Sequence, residues 1–182
     1  WGELQEDDKT LGKKAYRYLK YASEYNVELS LHFLGECYDK GIGVKQSFDK
    51  ALICYKKSVL QNNHGQSVIN IADIYYFKKE VEDVEEAYKW YKKAEKMDII
   101  EGKFRAAEIE LSYEEINKAE LIKKFKAVIN HKYDEDEINW AKEAQEYIDD
   151  LRSENRSNID VKKIEKRGNI LYPAIFQNIE KD

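Results

Sequence analysis

The chain is poor in the residues that punctuate sheet proteins. Its 182 residues include a single proline, Pro173, and eight glycines. Sandwiches and barrels spend both residue types on frequent turns, so an all-β fold is disfavoured. Cysteine occurs twice, as Cys37 and Cys54, too few for a disulfide-stapled scaffold. The sequence holds no run of about 18 apolar residues, the length a membrane-spanning helix requires. It also lacks a basic excess. Lys and Arg number 31 against 36 Asp and Glu, giving a net charge of −5. A nucleic-acid binder would show the opposite footprint, so neither nucleic acid nor a bilayer is an expected partner. The chain opens on Trp1 rather than methionine. A removed signal peptide is therefore an open expectation, and cytoplasm and periplasm both stay open.

What is present is a core-forming aromatic content with a heavily charged surface. Aromatics make up 13% of residues, hydrophobics 42% and charged residues 37%. A chain of this length can bury a real core, and few breakers with many helix formers point to an all-α fold. An internal period supports this. Ala15, Ala51 and Ala87 fall 36 residues apart, and Ala22, Ser58 and Ala94 repeat the step. Between them lie Tyr18-Leu19, Cys54-Tyr55 and Trp90-Tyr91 in the same register. Small, aromatic pair, small at i, i+3, i+4 and i+7 makes one stripe along a helix. A second stripe precedes the last two: Ser30, Leu34, Gly35 and Tyr38 correspond to Ser67, Ile71, Ala72 and Tyr75. A mid-helix glycine costs about 1 kcal/mol in propensity, which makes sense where another helix approaches closely. Gly41 and Gly43 suit the turn that ends the first of these helices. The equivalent loop, 79–83, lacks glycine and must turn differently.

Leu34-Gly35, Tyr38, Gly41-x-Gly43-Val44, Lys50-Ala51 and Tyr55-Lys56-Lys57, with Ala87 to Ala94, resemble the Sel1-like repeat, a relative of the tetratricopeptide repeat. The resemblance covers roughly residues 11–99. It implies a right-handed α-solenoid of antiparallel helix pairs, with a capping helix at its C-terminal end. Phe104 to Ala107 and Ala119 to Ala127 suggest a degenerate further pair. Helices are expected at 11–25, 28–40, 48–61, 65–78, 84–97, 101–111, 114–130 and 136–152. Residues 1–152 then form the solenoid, in which neighbouring repeats complete each other's core. Residues 153–182, with the apolar Ile170 to Phe176, form an extension expected to pack back on it. The family includes members with a disulfide in each unit, whose cysteines are arranged differently. Cys37 and Cys54 are expected as buried free thiols, with a bridge left open.

Chemistry is sparse. His32, His64 and His131 follow no metal-ligand spacing, and they read as capping or partly exposed side chains. Gly41-x-Gly43 is too short for a dinucleotide fingerprint, and no Gly-x-Ser-x-Gly elbow occurs. Carboxylates sit in runs that read as solvated, so no catalytic residue, cofactor or metal is expected. An enzyme with a groove site is the remote alternative. From Asp134 to Asp150 eight acids face one lysine, a steering surface for a basic partner. The candidate binding residues are His32, Glu36, Tyr76 and Phe77 on the first-helix face, and Asp134, Glu135, Asp136, Glu143, Glu146 and Asp150 in the acidic region. The resemblance implies a non-enzymatic protein-binding module. By analogy it also suggests a bacterial immunity protein that neutralises a secreted effector, with a cell-envelope or signalling scaffold as the alternative.

Overall fold

Three residues of one chemical kind stand before three of the helices, and they set where each begins. Ser47, Asp83 and Asn117 each accept a hydrogen bond from the backbone N–H three residues on, at Lys50, Glu86 and Glu120. That is the N-cap interaction, which supplies an acceptor to an otherwise orphaned helix donor. The spacings, 36 (83 − 47) and 34 (117 − 83), follow the repeat. The stops recur as well: Asn26, Asn63 and Asp98 all have positive φ, of 54°, 48° and 59°. A left-handed residue ends a helix, and Asn and Asp tolerate that conformation better than branched residues do. After two of these stops the next amide closes back over the helix end, Val27 N–H to Ala22 and Ile99 N–H to Ala94, both at 3.1 and 3.0 Å respectively.

The computed structural model describes residues 8–78, 82–112, 116–131 and 140–153. Every regular element among them is helical: α1 (Asp8–Glu24), α2 (Ser30–Lys40), α3 (Phe48–Asn62), α4 (Gly65–Phe77), α5 (Val84–Lys96), α6 (Ile100–Glu110), α7 (Lys118–Ile129) and α8 (Trp140–Arg152). The eight expected helices are all there, with ends moved by a few residues. The two loops inside the repeats close alike despite their different sequences. Ser47 N–H donates to Tyr38 carbonyl, and Asp83 N–H to Tyr75 carbonyl, each at 2.9 Å. The first uses Gly41 and Gly43 at φ 72° and 69°. Residues 79–81 of the second, the extension from 154 on, and Asp134, Glu135 and Asp136 lie outside the described residues.

The chain divides into two compact units between Ile74 and Tyr75. In the first, α2 lies against α3 around a fully buried Tyr55, with Ala51, Ile71 and Ala72 also closed from solvent. Gly35 is what allows this. A Cβ there would stand 2.6 Å from two carbons of the Tyr55 ring. In the second unit Gly102 of α6 faces Ala94 of α5 with no room for a side chain between them. Phe104, Phe125, Trp140 and Tyr147 then bring α6, α7 and α8 together, with Phe125 and Tyr147 stacked at 5.1 Å and Phe104 and Trp140 at 6.1 Å. Offset aromatic pairs of this kind add to the burial of their area.

The repeat stripe is buried throughout in α3 and at Ala87, Tyr91 and Ala94 in α5, where Trp90 is half-buried, but α1 departs from it. Ala51 and Ala87 are fully buried, whereas Ala15 is exposed and Tyr18 is 74% exposed. Among the described residues no helix lies ahead of α1, so only its α2 side is covered. Conversely, the degenerate pair proves to be a full hairpin. In α7, Leu121, Lys124, Phe125 and Val128 hold the i, i+3, i+4, i+7 positions, and all four are buried.

Candidate functional site

His32 was expected on a binding face, but its ring is only 5% exposed. Its Nδ1 lies 2.9 Å from Ser67 Oγ, and His64 Nδ1 lies 3.0 Å from the same oxygen. Ser67 Oγ donates to Ser58 Oγ at 3.1 Å, and Ser67 N–H donates to His64 Nδ1 at 3.2 Å. The two imidazoles stand 4.4 Å apart. A buried polar group needs such partners, and Ser67 supplies them to three side chains at once. Burial holds His32 below the ordinary histidine pKa of 6.5, and the charge of His64 lowers it further. His64 is a helix cap, as expected, and His131 is exposed. Glu36 stays partly exposed one turn beyond His32, paired with Lys40 at 2.8 Å. Cys37 and Cys54 are buried free thiols whose pKa values are raised by burial. A thiol held in that form is a poor nucleophile.

In the second unit Tyr76 and Phe77 pack edge to face at 4.8 Å, and Tyr76 also meets Tyr91. The Arg105 guanidinium lies over the Phe77 ring at 5.5 Å and donates to Glu108 at 2.8 Å. Tyr147 hydroxyl donates to the other Glu108 oxygen at 2.9 Å. Burial, then the Glu108 charge, raises the Tyr76 hydroxyl above its usual range. Both candidate aromatics are therefore half-buried parts of the packing.

Not all carboxylates are solvated, which corrects the reading of the acidic runs. Lys124 is 7% exposed and donates to both oxygens of Glu110 at 2.6 and 2.7 Å. Tyr88 hydroxyl donates to Glu110 at 2.9 Å, and Lys92 stands 3.6 Å from it. Glu95 completes the group, 3.5 Å from Lys124 and paired with Lys92. Burial works against the Lys92 charge, but Glu95 and Glu110 outweigh it and hold the ammonium. Two lysines and two carboxylates thus balance. The repeat register could have revealed them. Glu110 stands where Tyr38 and Tyr75 stand in the earlier pairs, and Lys124 where Cys54 and Trp90 do. Charge at both members of a pairing position signals an ion pair.

Glu143, Glu146 and Asp150 share one face of α8, at intermediate exposure. Among the described residues no group of three His, Cys, Asp or Glu is placed to hold a metal ion, and no helix is long and apolar enough to cross a membrane.

Successive antiparallel helix pairs, with recurring caps and stops and close small-residue contacts, define a helical-hairpin repeat protein. Residues 29–63 and 74–98 match the Sel1 repeat, and these two Sel1-like segments end at the left-handed stops Asn63 and Asp98. No curated protein matches the sequence. Among solved structures it is similar to a Sel1 repeat protein from Oxalobacter formigenes, with TM-score 0.59 and 17% identity over 75% of this chain and 54% of that one. It is also similar to a protective antigen of uropathogenic Escherichia coli with the Sel1-like repeat fold, with TM-score 0.60 and 17% identity over 83% of this chain and 32% of that one. The chain thus spans about half of the first structure and a third of the second. The likeness shows the fold, an α-solenoid.

Proposed function

We propose that this chain is a non-enzymatic protein-binding module whose partner is a basic effector protein that it neutralises. The observation that carries the reading is the exposed apolar surface of the first unit. Tyr18, Tyr21, Tyr25, Phe33, Ile53 and Leu60 remain open to solvent there, Leu60 at 84%. Apolar and aromatic side chains left out on a repeat scaffold mark a surface that another protein covers. The acids of the C-terminal region, among them Glu143, Glu146 and Asp150, supply a field that speeds the approach of a cation. Glu36, partly exposed on α2, contributes to the contact.

A photo-crosslinkable residue at Phe33, followed by affinity purification of the full chain, tests the reading. A single tight partner whose own activity falls on binding is the expected result. Many weak partners would instead identify a scaffold. Phe33→Ser with Leu60→Ser should abolish capture, and undiminished capture would refute the surface. Reversing Glu143, Glu146 and Asp150 to lysine should slow association and flatten its salt dependence.

A further inference from the structure

The end of α1, the first turn of α2 and the last turn of α3 enclose a cleft of about 440 Å³ within the first unit. That falls in the range of about 300–1,000 Å³ usual for ligand clefts. The local sequence builds it. Asn26, at a left-handed φ of 54°, ends α1 and lets the chain turn back into α2. On α3, Lys57, Leu60 and Gln61 stand at i, i+3 and i+4, so one helix face brings all three to the cleft. Gln61 Nε2 donates to Asn26 Oδ1 at 3.2 Å and ties the end of α1 to α3. That bond leaves the Asn26 amide nitrogen to donate and the Gln61 carbonyl to accept, side by side, and rotating both amides by 180° leaves the same two functions. Leu31 and Leu60 supply the apolar part of the lining. Glu24 from α1 and Lys57 from α3 add opposite charges; both are exposed, and among the described residues neither forms an ion pair.

We propose that this cleft binds a peptide segment of a partner protein in which an apolar residue is flanked by a basic and an acidic one. A peptide group carries one C=O and one N–H, the complement of what Asn26 and Gln61 leave open. The apolar side chain beside that group covers Leu31 and the otherwise open Leu60. Glu24 and Lys57 select a base on one flank and an acid on the other, because a charge brought against its own sign is rejected. The Ser23 hydroxyl proton is already given to the Lys20 carbonyl at 2.7 Å, so Ser23 lines the cleft without offering a donor. The inference rests on the reading of the chain as a protein-binding module and specifies the segment that the module holds.

Two peptides with acetylated and amidated ends test it, Gly-Arg-Leu-Asp-Gly and the reversed order Gly-Asp-Leu-Arg-Gly, with Gly-Gln-Leu-Gln-Gly as the uncharged control. Each is titrated into the full chain and followed by amide NMR shifts. Amides of 23–26, 31 and 57–61 should shift saturably with one charged order, while those of α7 stay fixed. That order should bind at least about fivefold more tightly than the other order and the control, the effect of two exposed ion pairs. Glu24→Lys combined with Lys57→Glu, both at exposed positions, should invert the preferred order, which a non-specific contact would not do. Gln61→Leu should weaken all three peptides. Equal binding of the two orders, a preference unchanged by the double reversal, or shifts spread beyond the cleft would overturn the proposal. Capture of a partner through Phe33 that the double reversal leaves undiminished would also overturn it, with the module reading still standing.

Discussion

Gly35→Ala is the sharpest test of the packing in the first unit, because propensity and packing predict opposite signs. In an exposed helix the change would stabilise by about 1 kcal/mol. Here the new Cβ would stand 2.6 Å from Cδ1 and Cε1 of Tyr55 and 3.1 Å from Cζ. The obstacle is the flat side of a rigid ring. It is fully buried and flanked by His32 at 5.7 Å, so it has nowhere to swing. Overpacking costs about 1–3 kcal/mol, and a contact this short belongs at the upper end. The net expectation is a loss of about 1–2 kcal/mol, or roughly 5–10 °C for a unit of this size. Thermal melting by far-UV circular dichroism measures the total. Hydrogen exchange across 34–37 and 51–59 assigns the loss to the first unit. On a Tyr55→Leu background the clash is gone, and Gly35→Ala should be neutral or mildly stabilising. A raised midpoint for Gly35→Ala with Tyr55 in place would refute the assigned helix contact.

The other expectations concern caps, charges and pH. Asp83→Ala and Asn117→Ala should each cost about 1 kcal/mol in urea unfolding, against a few tenths for the glycine variants; no difference between alanine and glycine would contradict the capping role. Lys124→Ala leaves Glu110 and Glu95 with one buried cation fewer, and should cost about 3–5 kcal/mol. Urea unfolding read by tryptophan fluorescence checks this, and Lys124→Met with Glu110→Gln should cost less than the two single changes summed. Stability should also fall with acid through His32. Its folded pKa is lowered, so as pH drops below about 6.5 the unfolded chain takes the proton first and gains on the native state. His32→Gln should flatten that part of the curve, and an unaltered slope between about pH 6.5 and 5 would exclude His32 as its source.

The helices were legible because a 3.6-residue periodicity is a local signal that every turn repeats. The stripes over Ala51 to Ser58 and Ala87 to Ala94 identified buried faces correctly for the same reason. Ala15 to Ala22 carries the same letters yet lies half open, because burial depends on a neighbouring helix and sequence identity does not supply one. The candidate binding residues were less legible. His32 looked like a surface residue because its Ser67 partner is 35 positions away (67 − 32) in another helix. Glu110 and Lys124 carry no signal when each is read alone. Their positions become informative only when the third hairpin is laid over the first two.

That third hairpin shows which features hold the repeat together. Its second helix has Leu121 and Val128 in place of the small residues of the stripe, and Lys124 in place of Cys54 or Trp90, yet all are buried. What it keeps is the Asn117 cap; the Asp98 stop closes the hairpin before it, and its own end at Asn130 has φ −84°. Small side chains are therefore one way of filling the space between helices, and a lysine–glutamate pair with bulkier aliphatics is another. The capped starts at Ser47, Asp83 and Asn117 and the stops at Asn63 and Asp98 leave less choice, whereas α2 and α6 open on Leu29 and Ile99 without a side-chain cap. An uncapped amide or a branched residue at positive φ has a local cost that packing elsewhere does not remove. Asn63→Val should accordingly destabilise the first unit by about 1–2 kcal/mol with no core contact changed, while Asn63→Gly should be nearly silent. If both variants melt like the wild type, the left-handed stops do not set the interval, and the burden returns to the stripe.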